Sequence, residues 1–240
     1  MNRSTLEAKD RIILALDFSS FETARPYIQQ LKSHVGIFKV GLTLFIREGL
    51  PLLERIADIS GTANIFLDLK LYDTPMQVGS AAAVLHEKAP ELKFLTVHSS
   101  GGLRVLKSVV DAMPDGTEIL GVTALTSQSP AEAEASDKAA LQEQVLGLAA
   151  LAKSAGAAGV VASAHEAAAL KKRFGDALTL VTPGIRPDWT EVAGDDQRRT
   201  MTPAEAISQG ADYLVIGRPI CGDPDPVGAA EKIADEIASV

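Results

Sequence analysis

The chain has 240 residues, of which 46% are hydrophobic and 22% are charged. This composition is typical of a globular protein and excludes disorder as the main state, because enough apolar surface exists to offset the loss of chain entropy. The 23 basic and 31 acidic residues give a net charge of −8, which argues against a general nucleic-acid-binding face. No apolar run approaches the roughly 18 residues of a membrane span, and the single cysteine, Cys221, excludes an intramolecular disulfide. We therefore expect a cytoplasmic protein that binds neither nucleic acid nor membrane.

Eight short runs rich in Val, Ile, Leu and Phe predict strands that are apolar on both faces, as parallel strands covered by helices are. In chain order they are residues 11–17, 35–41, 64–70, 92–98, 118–124, 157–162, 177–183 and 211–217. A segment with helical periodicity follows each run. The predicted helices are residues 21–32, 42–59, 75–88, 103–113, 138–154, 164–174, 202–209 and 226–239.

This alternation predicts an α/β fold, with residues 1–240 forming a single (β/α)8 TIM-barrel domain. A doubly wound open sheet is the alternative, but its G-x-G-x-x-G motif does not follow the first strand. Two long connections, residues 126–137 and 184–200, follow the fifth and seventh strands. Both leave the carboxyl ends of strands, where barrel enzymes place their active sites, so we expect functional loops.

Charged residues lie at the carboxyl ends of the first three predicted strands. Asp68 and Lys70 are two residues apart and so share one face of the third strand, with Asp73 just beyond it. Together with Lys39 on the second strand they predict an alternating array of two lysines and two carboxylates, in which each charge stabilises its neighbours. A protonated lysine held in such a cavity can stabilise a carbanion and then protonate it. The simpler alternative is a pair of ordinary ion pairs at the barrel rim.

A second candidate site follows the eighth strand, at Gly217 and Arg218. Backbone N–H groups and a guanidinium suit a phosphate, and Arg186 and Gln197 in the preceding loop strengthen this prediction. Arg218 capping a helix or facing solvent is the alternative. His98 ends the fourth strand and is either catalytic or structural. For other polar residues we expect structural roles. Arg198 and Arg199 are expected on a solvated face, and Cys221 is expected to be a packing residue rather than a nucleophile. No spacing of His, Cys, Asp or Glu typical of a metal site is present.

The chain resembles the orotidine 5′-phosphate decarboxylase family from about Ile12 to the C-terminus. The resemblance rests on eight short motifs in the expected order. They are ALDF around Asp17, FKVG around Lys39, DLKLYDTP from Asp68, TVHSSGG around His98, VTALTS around Thr126, TPGIRP around Arg186, GDDQRR around Gln197 and VIGRPI around Arg218.

The resemblance implies decarboxylation of orotidine 5′-phosphate to UMP in pyrimidine biosynthesis, without a metal or organic cofactor. Lys70 would protonate C6 of the pyrimidine, and Asp68 would lie near the substrate carboxylate. Lys39 and Asp73 would complete the charged array, with Asp73 donated across the interface of a homodimer.

The same resemblance implies the substrate contacts. Asp17 and the partner's Thr74 would contact the ribose, and Thr126 would contact the base. The 5′-phosphate would be held by Arg186, Gln197, Gly217 and Arg218. Thr74, Met76 and Gln77 depart from the family's usual residues and leave the local sugar contacts open.

Two other functions compete with this prediction. Magnesium-dependent sugar-phosphate decarboxylases or synthases of the same superfamily share the D-x-K-x-x-D pattern. They resemble E-V-G at the second strand, where this chain has Lys39-Val40-Gly41. A lysine there would repel the metal. A non-catalytic nucleotide-binding barrel is the other possibility, although such a protein would be expected to have lost Lys70 or one of the carboxylates.

Overall fold

A computed structural model describes residues 6–62, 64–89, 92–113, 116–124, 138–190 and 199–240. Within these ranges eight parallel strands form a closed barrel in sequence order, with β8 paired to β1. The strands are β1 (Ile12–Ala15), β2 (Ile37–Gly41), β3 (Ile65–Leu71), β4 (Leu92–His98), β5 (Glu118–Val122), β6 (Gly159–Val161), β7 (Thr179–Thr182) and β8 (Tyr213–Ile216). The predicted TIM-barrel fold is therefore confirmed.

Helices follow the strands on the outside of the barrel. They are α1 (Phe21–Leu31), α2 (Leu42–Glu48), α3 (Pro51–Ser60), α4 (Pro75–Lys88), α5 (Leu103–Ala112), α6 (Lys138–Ser154), α7 (Ala164–Phe174), α8 (Pro203–Ser208), α9 (Arg218–Cys221) and α10 (Pro226–Ala238). Short 3-10 turns lie at Ala8–Arg11, Ser99–Gly101 and Gly175–Ala177. None of the helices in the described ranges has the length and apolarity needed to cross a membrane.

The prediction of one continuous helix over residues 42–59 was wrong. The chain forms two helices there, because Gly49 ends α2 with φ of 70° and Pro51 begins α3. A positive φ is easy for glycine and ends a helix, and proline is favoured at the first helical position because its missing N–H needs no partner there. The short helix α9 after β8 was not predicted.

The interior of the barrel is a packed apolar core. It is built from Ile13, Ile37, Phe66, Phe94, Leu120, Val181 and Tyr213, one from each of seven strands. The aromatic rings of Phe66, Phe94 and Tyr213 meet edge to face, with centroids 5.3–5.7 Å apart. A second and larger core lies between the strands and the helices and buries the outward-facing strand residues. We call these seven residues the apolar floor, because polar side chains further along the strands lie above them.

Candidate active site

The strand period places one layer of side chains directly above this floor. Residues two positions further along a strand point to the same face, so Ala15, Lys39, Asp68 and Thr96 follow the floor residues of β1 to β4. The register supports this layer, because Ala15 pairs with Lys39 and Gly41 pairs with Asp68. Lys39 and Asp68 are only 7% and 9% exposed, which is rare for charged residues unless they are paired.

The buried charges are paired in an alternating row. Nζ of Lys39 lies 3.1 Å from Oδ1 of Asp17 and 3.8 Å from Oδ2 of Asp68. Nζ of Lys70 lies 2.7 Å from the same Oδ2 of Asp68. The order is therefore Asp17, Lys39, Asp68, Lys70, with a net charge of zero. This row can present an ammonium group to a bound molecule without leaving an uncompensated charge in the barrel.

Within one chain the second carboxylate of the row is Asp17 rather than Asp73. Asp73 is exposed after the end of β3, and its Oδ1 accepts a hydrogen bond of 2.6 Å from the Thr74 N–H. Among the described residues Asp73 forms no ion pair with Lys39 or Lys70. Thr74 is the N-cap of α4 and accepts a hydrogen bond from the Gln77 N–H.

Thr96 is a residue of this site that the sequence reasoning missed. Its hydroxyl donates to Oδ1 of Asp68 over 2.9 Å and accepts from the Lys70 N–H over 2.9 Å. The sequence could have identified Thr96, because it lies two residues before His98 and therefore points to the same face of β4.

His98 lies beside the charged row at the end of β4. Its ring packs edge to face against Tyr72, with centroids 5.5 Å apart. Partial burial lowers the pKa of His98, and the nearby Lys70 ammonium lowers it further, while Asp68 acts in the opposite direction. A lowered pKa favours the neutral imidazole next to the lysine.

The second predicted cluster lies where the chain leaves β7 and β8. Gly217 is the N-cap of α9, and a Cβ placed on it would lie 3.7 Å from Oδ2 of Asp17. Gly217 therefore adjoins the charged row, and the exposed Arg218 follows it. Arg186 is half-buried and is held by a bridge between Ile185 and Met201, with its N–H donating to Met201 O over 2.9 Å. Thr126 and Gln197 lie outside the described residues, as do the loop segments 125–137 and 191–198.

Cys221 and Arg199 lie outside the charged row, in two different environments. Cys221 on α9 packs against the outer core as expected, and burial, with a smaller contribution from Asp17, raises its pKa to about 12. The expectation that Arg199 faces solvent was wrong. Its guanidinium pairs with Glu166 on α7, which is 5% exposed, and burial lowers the pKa of Arg199. Burial of this pair is a tertiary contact that no local pattern encodes.

Two comparisons of the sequence with known proteins point to the same family. Residues 10–233 match the model of the family described as Orotidine 5′-phosphate decarboxylase / HUMPS family. Orotidine 5′-phosphate decarboxylase of Desulfosudis oleivorans is 42% identical over 234 residues, covering 95% of this chain and 93% of that protein. The protein of the same name from Anaeromyxobacter sp. (strain K) is 43% identical over 230 residues, covering 95% of this chain and 99% of that protein.

Comparison of the fold with solved structures points to the same family. The crystal structure of orotidine 5′-phosphate decarboxylase from Lactobacillus acidophilus superposes with a TM-score of 0.78 at 35% identity, covering 94% of this chain and 98% of that one. With the family match across nearly the whole barrel and relatives above 40% identity, the chain belongs to the orotidine 5′-phosphate decarboxylase / HUMPS family.

Proposed function

We propose that Lys70 carries the chemistry of this enzyme by stabilising and then protonating a carbanion at C6 of the substrate. The reaction is the decarboxylation of orotidine 5′-phosphate to UMP in pyrimidine biosynthesis, which makes the enzyme a carboxy-lyase. In the proposed step the bond between C6 and the carboxylate breaks, CO₂ leaves and the electron pair of that bond stays on C6. A proton of the Lys70 ammonium then moves to C6, and the amine regains a proton from solvent.

The position of the Lys70 ammonium is the observation that carries this proposal. It lies 2.7 Å from Asp68, next to a paired Lys39, at the top of an apolar barrel interior. A carbanion at C6 is poorly delocalised, so its formation needs a charge that is already in place. Preorganised charges in a site with little water are worth more than the same charges in bulk water and need no reorganisation during the reaction. Asp68 would lie near the substrate carboxylate and hold both lysines.

The remaining substrate contacts are those that the resemblance to the family implies. Asp17 would bind the ribose, and its position between Lys39 and Gly217 supports this role. Gly217, Arg218 and Arg186, together with Gln197, would hold the 5′-phosphate, and Thr126 would contact the base. Binding energy from a phosphate far from C6 can contribute to the chemical step when those contacts strengthen in the transition state.

We also propose that the enzyme is a homodimer in which Asp73 and Thr74 serve the neighbouring site. Two observations support this assembly. Asp73 projects from its own barrel without reaching the lysines of that chain. Large apolar side chains are also exposed where the chain leaves the neighbouring strands β2 and β3: Leu42, Ile46, Tyr72 and Met76 are 52–77% exposed. Exposed apolar side chains at the same end of the barrel as the exposed carboxylate of Asp73 suit an interface between two identical subunits.

The magnesium-dependent members of the superfamily are the less favoured alternative. Lys39 places an ammonium group between Asp17 and Asp68, the two carboxylates that would otherwise be closest to a metal ion. A divalent cation bound there would meet that positive charge at short range. The proposed mechanism accordingly uses no metal, and the resemblance to the family implies that it needs no organic cofactor either.

The absorbance of orotidine 5′-phosphate mixed with the purified protein in EDTA tests the function directly. Steady loss of the orotate band with UMP as the product is expected, and the Lys70→Ala protein serves as the control for a contaminating enzyme. Activity that disappears on chelation and returns with magnesium, or tight UMP binding without turnover, would overturn the proposal.

Two further expectations stay predictions: that residues 1–240 form one domain, and that the protein is cytoplasmic. Limited proteolysis tests the first and cell fractionation tests the second.

A further inference from the structure

The third strand contains an irregularity at its catalytic end. Along the pairing of β3 with β4, Leu67 lies opposite Leu95 and Leu71 lies opposite Val97. Three residues of β3, from Asp68 to Lys70, therefore oppose the single residue Thr96. Lys70 has φ of 49°, the one positive value at a non-glycine residue in the described parts of the chain. Such a conformation is unfavourable for a residue with a Cβ and persists only when the surrounding structure holds it.

The Thr96 hydroxyl bonds to both ends of this three-residue bulge. A backbone N–H is always a donor, so the hydroxyl accepts from Lys70 N at 2.9 Å. Its own proton is then available for Oδ1 of Asp68, also at 2.9 Å. Thr96 is fully buried, so water does not replace either partner. One side chain thus fixes the backbone of the lysine and the rotamer of the carboxylate to which the lysine is paired.

We propose that Thr96 is a positioning residue for decarboxylation, which acts by holding Lys70 in its left-handed conformation and Asp68 in the rotamer that receives the lysine ammonium. This inference rests on the proposed role of Lys70. Oδ1 of Asp68 is bound by Thr96, which leaves Oδ2 to face both lysines at 2.7 and 3.8 Å. Without the hydroxyl, the Lys70 N–H loses its acceptor, and relaxation of the bulge moves the ammonium away from C6.

Replacement of Thr96 by valine tests the proposal, because valine keeps the shape of the side chain and removes only the hydroxyl. We expect kcat to fall about 100-fold, the effect of misplacing a reacting group by about 1 Å. The KM for the substrate and the affinity for UMP are expected to stay within about threefold of wild type, since phosphate and base contacts are elsewhere. Thr96→Ser retains the hydroxyl and should recover most of kcat.

Thr179→Val is the matched control. Thr179 is fully buried in β7, and its hydroxyl has no hydrogen-bond partner within the described structure. Its replacement should leave kcat unchanged. Unfolding midpoints are measured for all three variants, so that loss of folded protein is separated from loss of rate.

The possible outcomes distinguish failure of the role proposed for Thr96 from failure of the role proposed for Lys70. If Thr96→Val keeps kcat within about threefold while Lys70→Ala is inactive, Thr96 does not position the lysine and the role of Lys70 stands. If kcat, UMP affinity and the unfolding midpoint fall together, or Thr96→Ser fails to recover kcat, Thr96 is structural and the inference is overturned. If Lys70→Ala itself remains active, the proposed role of Lys70 is refuted, whatever the result for Thr96.

Discussion

Oδ1 of Asp17 lies 3.1 Å from Nζ of Lys39, although the two residues are 22 positions apart and belong to different βα units. This pair extends the row of Asp68 and Lys70 toward Gly217. The charged row and the candidate phosphate site are thus continuous across β1, β2 and β8. A single substrate with a phosphate at one end and a carboxylate at the other suits that continuity.

Loss of the Lys70 ammonium should remove nearly all activity. Lys70→Ala is expected to lower kcat by about 10³-fold or more, because it removes the group that we propose both stabilises the carbanion and donates the proton. The decline of the orotate absorbance measures the rate, and a UMP titration checks that the site still binds nucleotide. Activity within about tenfold of wild type would contradict the proton-donor role.

Mixing two inactive variants should restore activity if Asp73 serves the neighbouring subunit. A mixed dimer of Lys70→Ala and Asp73→Ala chains holds one site with both residues intact, so random exchange should give about a quarter of the wild-type rate. The matched control mixes Lys70→Ala with Asp68→Ala, whose residues pair within one chain at 2.7 Å. That mixture should stay inactive. Verified mixed dimers of the first kind without activity would rule out sharing.

Arg218 should contribute to binding more than to the chemical step. Arg218→Ala is expected to raise KM about 10- to 100-fold, since a charge-assisted contact with a phosphate is worth about 1.5–3 kcal/mol. Initial rates over a range of substrate concentrations give KM. Arg25→Ala, on the exposed side of α1, is the control and should leave KM unchanged. An unchanged KM in the Arg218 variant would place the phosphate elsewhere.

Removal of one partner from the ion pair of the half-buried Arg199 with the buried Glu166 should destabilise the fold, because the other partner is left as an uncompensated charge. Arg199→Met is expected to lower the free energy of unfolding by about 3 kcal/mol. Urea denaturation measures this change. The double variant Glu166→Met/Arg199→Met should regain most of the loss, since it removes both charges. A single variant within about 0.5 kcal/mol of wild type would show that the pair behaves as a surface ion pair.

His98 should make the protein less stable in acid. Its pKa is lowered in the folded state, so below the ordinary value of 6.5 the unfolded chain binds more protons than the folded chain. The free energy of unfolding therefore falls as the pH drops from 6.5 through the folded-state pKa. His98→Gln should lose less stability than wild type across that interval in urea titrations. Parallel pH curves for the two proteins would contradict this assignment.

Much of the fold was predictable because its signals are local. Short apolar runs followed by amphipathic segments report strands and helices within a few residues, and eight such units have one common closed arrangement. The charged residues of the site were equally visible, because a charge directly after or within an apolar strand needs a partner. Lys39, Asp68 and Lys70 were found in this way, and the structure brings them together.

Other features depended on contacts between distant parts of the chain. The strand period places Asp68 and Lys70 on one face, but only the pairing of β3 with β4 reveals the bulge that turns Lys70 to φ of 49°. The same pairing brings the Thr96 hydroxyl of β4 within hydrogen-bond distance of Asp68 and Lys70 on β3. The burial of Arg199 against Glu166 likewise requires the loop after β7 to return to α7.

The sequence by itself determined which residues carry charge and at which end of the barrel they lie, because the alternation of side chains along a strand and a residue's place at the carboxyl end of its strand are local properties. Only the tertiary structure decided which charges touch. The register between strands placed Asp17 rather than Asp73 beside Lys39 in one chain. Pairing distances depend on register, bulges and closure of the barrel, and these are settled by packing across the whole molecule.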